Sequence, residues 1–171
     1  MFNKIIAVLL FVTASCLVFS NKISAQTYTY VGVKNCACHN PQIKGKITDF
    51  WKSTKHSQSY KSLLSDKAKE ISKDKAAVEN EKCLKCHVGN KALAESNFKE
   101  DGVQCETCHG PGSGYKALSV MKSHEESVKK GLAVHENLEK YCITCHNQEG
   151  HPQPEFKFEE MWKSIKHGPQ K

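Results

Sequence analysis

The sequence predicts a mainly α-helical chain in which short helices are joined by loops. Residues 47–64 and 115–130 each place apolar residues and one histidine at helical spacing. No segment alternates apolar and polar residues for long, as a half-buried strand would. Residues 65–82 are almost wholly polar, so side chains alone supply little apolar material for a core. We therefore expect short helices and loops wrapped around something other than protein.

Three amphipathic segments carry this prediction. In the first, one helical face is formed by His56, Tyr60, Leu63 and Leu64. In the second, the corresponding face is formed by Leu118, Met121, His124 and Val128. This second helix is predicted to end at Lys129, Lys130 and Gly131. A last amphipathic turn, leading to His167, is formed by Phe158, Met161, Trp162 and Ile165.

The N-terminal residues, 1–25, are predicted to be a secretory signal peptide. Lys4 precedes an uncharged apolar run that is shorter than the ~20 residues of a membrane span, and a small-residue cleavage site follows at Ala25. The alternative is a lipoprotein site at Cys16, but apolar residues follow it where a polar tether is expected. The remaining 171 − 25 = 146 residues suit one domain, residues 26–171. We expect this domain to be periplasmic or extracellular, with no stable membrane span.

The composition argues against a nucleic-acid partner. The formal net charge is +7, but every one of the 25 basic residues is lysine. Nucleic-acid and phosphate sites favour arginine for its planar, bidentate guanidinium. The predicted mature chain keeps eight cysteines, and exposed thiols would tend to oxidise outside the cytoplasm. These cysteines must therefore be committed to a cofactor, a metal or disulfides.

Three segments share the pattern CxxCH, in which x is any residue. They are Cys83 to His87, Cys105 to His109 and Cys142 to His146. CxxCH is the attachment sequence of c-type haem. The two thiols bind the porphyrin, and the histidine is the proximal iron ligand. The thiol pairs are Cys83 with Cys86, Cys105 with Cys108 and Cys142 with Cys145. Zinc is the strongest alternative, since 18 residues separate the first two cysteine pairs. Neither zinc nor a disulfide framework explains a histidine after every second cysteine.

A fourth haem is predicted at the shortened motif NCACHN. Cys38 and His39 keep the usual adjacency, so one thioether and the proximal bond can form there. In an extended Cys-x-Cys the Cα atoms lie roughly 6.6 Å apart with both side chains on one face, so attachment through Cys36 as well requires a backbone unlike that of the other sites. A strained disulfide or a zinc pair is the alternative. Four haem c groups would then form the missing core.

Five histidines lie outside the motifs and are candidates for the sixth iron position. They are His56, His124, His135, His151 and His167. Methionine could serve instead and would raise the potential, but only Met121 and Met161 remain after the predicted cleavage. Ligation by two histidines is therefore favoured.

The order of these segments resembles that of a known family. GVKNC, WKSTKH, CLKCHVG, GVQCETCHGPG, CITCH and FKFEEMWKSIKH occur in this order. They resemble the small tetrahaem c-type cytochromes whose type member accepts electrons from hydroxylamine oxidoreductase in nitrifying bacteria. The resemblance implies a mostly helical fold with stacked haem pairs. The C-terminal region is much shorter than the family's, so hydroxylamine oxidation is not carried over as a pathway.

The resemblance also implies a ligand set. His56 would serve the haem on His146, His124 the haem on His39, and His167 the haem on His109. The haem on His87 is five-coordinate in the type member, so here it is either open or capped by His135 or His151, with open slightly favoured.

The leading interpretation is an exported electron carrier with redox proteins as partners. No substrate chemistry is required of it. One alternative is an enzyme that reduces a small nitrogen compound at an open haem on His87. Another is a homo-oligomer, or a subunit of a haem filament, in which the spare histidine of one copy completes a haem of the next.

Overall fold

The computed structural model describes residues 27–73 and 75–168. The predicted signal peptide, its cleavage site and Cys16 lie outside these residues. The described chain is mainly helical and contains no strand, which confirms the predicted fold class. None of its helices has the length and hydropathy of a transmembrane span.

The α-helices are short and follow one another closely. In chain order they are α1 (Ile47–Lys52), α2 (Ser59–Ser62), α3 (Asp66–Ser72), α4 (Glu81–His87), α5 (Lys91–Ala94), α6 (Cys105–His109), α7 (Leu118–Met121), α8 (His124–Lys129), α9 (Leu138–Ile143) and α10 (Phe158–Ile165). Single 3-10 turns lie at Val33–His39, Gln42–Lys44, His56–Gln58, Ala77–Glu79 and Lys99–Asp101.

Residues 47–64 do not form the one continuous helical face that their spacing predicts. The segment divides into α1, the 3-10 turn His56–Gln58 and α2. Hydroxyl groups cause the break: Thr54 Oγ1 donates to Trp51 O at 2.7 Å, and Ser57 Oγ donates to Thr54 O at 2.9 Å. Such side chains compete with the helix for its carbonyls. Tyr60 and Leu63 are buried as predicted, but Leu64 is 58% exposed.

The second predicted helix is also divided, into α7 and α8. Ser123 interrupts it and becomes the N-cap of α8, where its Oγ accepts a hydrogen bond from Glu126 N at 3.2 Å. Leu118 is 71% exposed and Val128 is 40% exposed, so the predicted apolar face does not point into protein. Ser127 is the buried residue of α8.

A small protein core exists, although the sequence predicts almost none. It packs α2, α4 and α5 together through Tyr60, Leu63, Leu84, Val88 and Leu93. The polar stretch 65–82 contributes buried Ala77, from the 3-10 turn before α4. This cluster therefore adds a small protein core to the one that the haems are expected to form. The cluster fixes α4, which carries the CxxCH motif nearest to it.

Candidate haem sites

Each CxxCH motif lies in or at the end of a short helix. Cys83–His87 ends α4, Cys105–His109 is the whole of α6, and Cys142–His146 begins in α9 and continues as a helical turn, with His146 N donating to Cys142 O at 2.9 Å. Residues three and four apart share one helical face. Each helix therefore presents two thiols and one imidazole on the same side, as attachment of a single haem requires.

Asparagine caps set the starting points of two of these helices. The Asn80 side chain accepts a hydrogen bond from Lys82 N at 3.0 Å at the start of α4. The Asn137 side chain accepts one from Lys140 N at 2.8 Å at the start of α9. Asparagine is among the preferred N-cap residues. The caps thus fix where on each helix the cysteines fall.

The shortened motif adopts a different backbone. Cys36, Cys38 and His39 lie in the 3-10 turn Val33–His39, not in an extended segment. A 3-10 helix turns by about 120° per residue, so the two thiols diverge instead of sharing a face. Cys36 is half-buried and Cys38 is exposed. This arrangement leaves Cys38, next to His39, as the accessible thiol.

His56 and His146 face each other across a gap. Their ring centroids are 6.0 Å apart with an angle of 53° between the planes. Burial lowers the pKa of His56 below its usual value, and the nearby His146 lowers it further. On its other side His146 stacks on Phe156, with centroids 4.9 Å apart. Burial lowers the pKa of His146 as well. Both imidazoles are thus favoured in the neutral form, which is the form that binds iron.

His109 and His167 form a second pair of the same kind. Their ring centroids are 5.9 Å apart at an angle of 71°. His167 Nδ1 donates to Ile165 O at 3.0 Å, and because a carbonyl only accepts, Nε2 keeps its lone pair. Burial lowers the pKa of His109, and the nearby His167 lowers it further.

His87 and His151 form a third pair. Their ring centroids are 6.1 Å apart at an angle of 45°. His87 Nδ1 donates to Ser59 O at 2.8 Å, and Ser62 Oγ lies 3.1 Å from the same nitrogen. The sequence slightly favours an open site here. An imidazole at this distance is not expected at an open site.

The three distances match the space that an iron atom would need. Two metal–nitrogen bonds of about 2 Å and two ring radii of about 1.2 Å place the centroids about 6.4 Å apart. The distance alone does not mark a metal site, since the ring centroids of Phe50 and His167 also lie 6.4 Å apart. The three pairs are distinguished because each joins the histidine of a CxxCH motif to a second imidazole. The residues therefore fit a haem iron between the two imidazoles of each pair.

His39 and His124 are not brought together. In the described chain no ring contact or hydrogen bond joins them. His124 is exposed at the first position of α8. Burial lowers the pKa of His39, and Lys44 and His167 lower it further. The assignment of His124 to the haem on His39 stays a prediction.

Two contacts between thiols relate the motifs to one another. A hydrogen bond between the Cys36 and Cys105 thiols raises the pKa of Cys36 and lowers that of Cys105. A second, between Cys86 and Cys145, raises the pKa of Cys86 and lowers that of Cys145 to about 6. The first motif thus adjoins the third, and the second adjoins the fourth. The third also adjoins the fourth, because burial, together with the nearby Cys142 and Cys145, raises the pKa of Cys108 to about 11. The zinc alternative would instead bring the second and third cysteine pairs together.

Ser59 connects the neighbouring sites. Its Oγ lies 2.6 Å from His56 O and 2.8 Å from His87 O, two acceptors that share its one hydrogen, and it accepts from Val103 N at 2.9 Å. Trp51 Nε1 donates to Val103 O at 2.9 Å, which links α1 to the residue whose amide donates to Ser59. One hydroxyl thus fixes the spacing between His56 and His87.

Glu106 is a structural residue that sequence reasoning missed. It occupies a variable position of CxxCH, yet it is only 1% exposed. Its carboxylate accepts from Val31 N at 3.0 Å, Gly32 N at 2.7 Å and Gly112 N at 2.6 Å. It thereby joins the segment before the first motif to the turn after the third. No pattern in the sequence distinguishes this buried acid from an exposed one.

Comparison with known proteins gives two matches. The profile of the family described as "Cytochrome c554 and c-prime" matches residues 35–110. Cytochrome c-554 of Nitrosomonas europaea is 30% identical over 178 aligned residues, which cover 80% of this chain and 73% of the relative. No solved structure matches the chain.

Proposed function

From the premise that the chain belongs to the cytochrome c554 family, and so is a multihaem c-type cytochrome with redox partners, we propose that it is an exported carrier with four haems. The first 25 residues would direct export, and residues 26–171 would form the tetrahaem domain in the periplasm or outside the cell. When bound, haem iron supplies one-electron transfer by cycling between its ferric and ferrous states. The rest of the function concerns how the chain holds and spaces these groups.

The cysteines of the three CxxCH motifs would anchor three haems, with His87, His109 and His146 as proximal ligands. His39 would be the proximal ligand of the fourth, anchored through Cys38. The observation that carries this proposal is the facing of imidazoles at 6.0 Å and 5.9 Å, which supports His56 and His167 as sixth ligands of the haems on His146 and His109. His124 is proposed for the haem on His39.

The thiol contacts support close packing of the four haems. Cys36 adjoins Cys105 and Cys86 adjoins Cys145, so the first and third haems would be neighbours, as would the second and fourth. Ser59 would hold the second and fourth sites together, because its hydroxyl lies between the carbonyl oxygens of His87 and His56. Close packing would let electrons pass from haem to haem through the protein, so no substrate chemistry is needed.

The test is a count of haems and electrons on the exported protein. The protein is purified from a host with a working cytochrome c maturation system, and its intact mass and pyridine haemochrome are measured together. We expect an N-terminus at Gln26, four covalent haems and four electrons taken up per chain in a coulometric titration. The same gene expressed without maturation is the control and should give no covalent haem. Fewer than four haems on the mature chain would contradict the proposal.

A further inference from the structure

The environment of His87 differs from that of an open haem site. An open haem site has no protein ligand at the sixth iron position, whereas the centroid of a second imidazole, that of His151, lies 6.1 Å from the centroid of the His87 ring. This distance is close to those of the other two histidine pairs, 6.0 Å and 5.9 Å. The planes are tilted by 45°, so the rings do not stack on each other.

The hydrogen bonds of both imidazoles leave the correct nitrogen free. His87 Nδ1 donates to Ser59 O at 2.8 Å, and His151 Nδ1 donates to Pro152 O at 3.0 Å. Since a carbonyl oxygen only accepts, each Nδ1 carries the proton and each Nε2 keeps its lone pair. Metal-binding histidines are characteristically held in this way, with the second nitrogen bonded to a carbonyl.

The loop that carries His151 is tied to the fourth motif. Gln153 Nε2 donates to Cys145 O at 3.2 Å, and Gln153 N donates to Gln148 Oε1 at 3.1 Å. Asn147 Nδ2 donates to Ile143 O at 2.9 Å. The residues between the fourth motif and His151 thus form a closed turn. Its position follows that of His146, whose haem would neighbour the one on His87.

His135, the other candidate, is committed elsewhere. Its Nε2 lies 2.7 Å from Cys108 O, to which it donates, so this nitrogen carries a proton and cannot bind iron. Its ring stacks on Tyr141 at 3.8 Å, and the Tyr141 hydroxyl donates to Thr107 O. His135 therefore supports the third motif.

We infer that His151 is the sixth ligand of the haem on His87, so that this site is closed in the present protein. The inference rests on the proposed function, since it requires a haem on Cys83 and Cys86. It departs from the five-coordinate site that the family resemblance implies. A closed site offers no iron position to a small nitrogen compound, and the enzyme alternative loses the feature that it depends on.

Carbon monoxide binding by the reduced holoprotein tests this inference. His151→Ala should bind one more carbon monoxide per chain than the unchanged protein, and its ferric form should gain one high-spin haem in the electron paramagnetic resonance spectrum. Added imidazole should reverse the second change. His135→Ala is the matched control and should bind no more than the unchanged protein. An identical uptake by His151→Ala and the unchanged protein would overturn the inference.

A second variant keeps the inference testable if alanine disturbs the loop. His151→Met should retain a six-coordinate haem and raise the potential of one haem, because methionine ligation favours the ferrous state. Four unchanged potentials would contradict the inference. The haem count is measured on the unchanged protein and on every variant. A count below four in the unchanged protein contradicts the proposed function. Four haems with unchanged coordination in the His151 variants contradict only the role of His151.

Discussion

The ring centroids of His56 and His146 lie 6.0 Å apart, although the two residues are distant in the chain. The approach is supported from one side by Val103 N, which donates to His56 O at 3.1 Å, and from the other by Phe156, which stacks on His146. Gly102 allows this contact. A Cβ there would lie 2.7 Å from His56 O, and its φ of +70° favours glycine. The backbone of the third motif thus positions a ligand of the fourth.

Replacing His56 with alanine should turn one haem high-spin, because the iron on His146 would lose its sixth ligand. The measurement is the ferric electron paramagnetic resonance spectrum together with the haem count, which should stay at four. Lys55→Ala, an exposed neighbour, is the control and should leave the spectrum unchanged. A wholly low-spin spectrum for His56→Ala would show that another residue ligates this iron.

Replacing Glu106 with glutamine should destabilise the holoprotein without changing its haem count. The amide has only one accepting oxygen, so an NH2 group would face at least one of the backbone donors from Val31, Gly32 and Gly112. A buried donor left unpaired costs about 1–3 kcal/mol, and we expect the free energy of unfolding in guanidinium to fall by that amount. Glu95→Gln is the control, since the Glu95 side chain is 66% exposed and its ion pair with Lys91 is worth little. Equal stability of both variants would contradict the role of Glu106.

Local sequence was sufficient to predict some parts of this protein. The spacing within CxxCH predicts which residues share a helical face, and that arrangement is found in α4 and α6. The apolar spacing of residues 158–165 predicts α10, which the structure contains. In each case the determining contacts lie within a few residues of one another. The family resemblance is likewise confirmed by the comparisons.

The remaining features depend on contacts between distant residues. The pairing of His87 with His151 requires the loop after the fourth motif to fold back over α4, which no periodicity encodes. The division of residues 47–64 depends on which backbone carbonyls accept hydrogen bonds from the hydroxyls of Thr54 and Ser57. Burial of Glu106 depends on two glycine-containing turns meeting around it. Such tertiary choices override local propensity.

Replacing His124 with alanine should turn the haem on His39 high-spin. In the described chain the other histidines outside the motifs are engaged: His56, His151 and His167 each face a proximal histidine, and His135 bonds Cys108 O. His124 is exposed and available. The measurement is carbon monoxide uptake, expected to rise by one per chain, with His135→Ala as the control. No increase would show that the sixth ligand of this haem is not His124.

Replacing Cys36 and Cys38 separately should have unequal effects on haem attachment. In the 3-10 helix Val33–His39 the two thiols point in different directions, and the Cys36 thiol donates to Gly32 O at 3.9 Å. Cys38 is exposed beside His39, the proximal ligand. We therefore expect Cys36→Ser to keep four covalent haems by intact mass, and Cys38→Ser to lose one. A peptide map of the unchanged protein provides the control, since it reports whether each thiol is modified. Three haems on the unchanged chain, with an unmodified Cys36-to-Cys38 peptide, would contradict a haem at this motif.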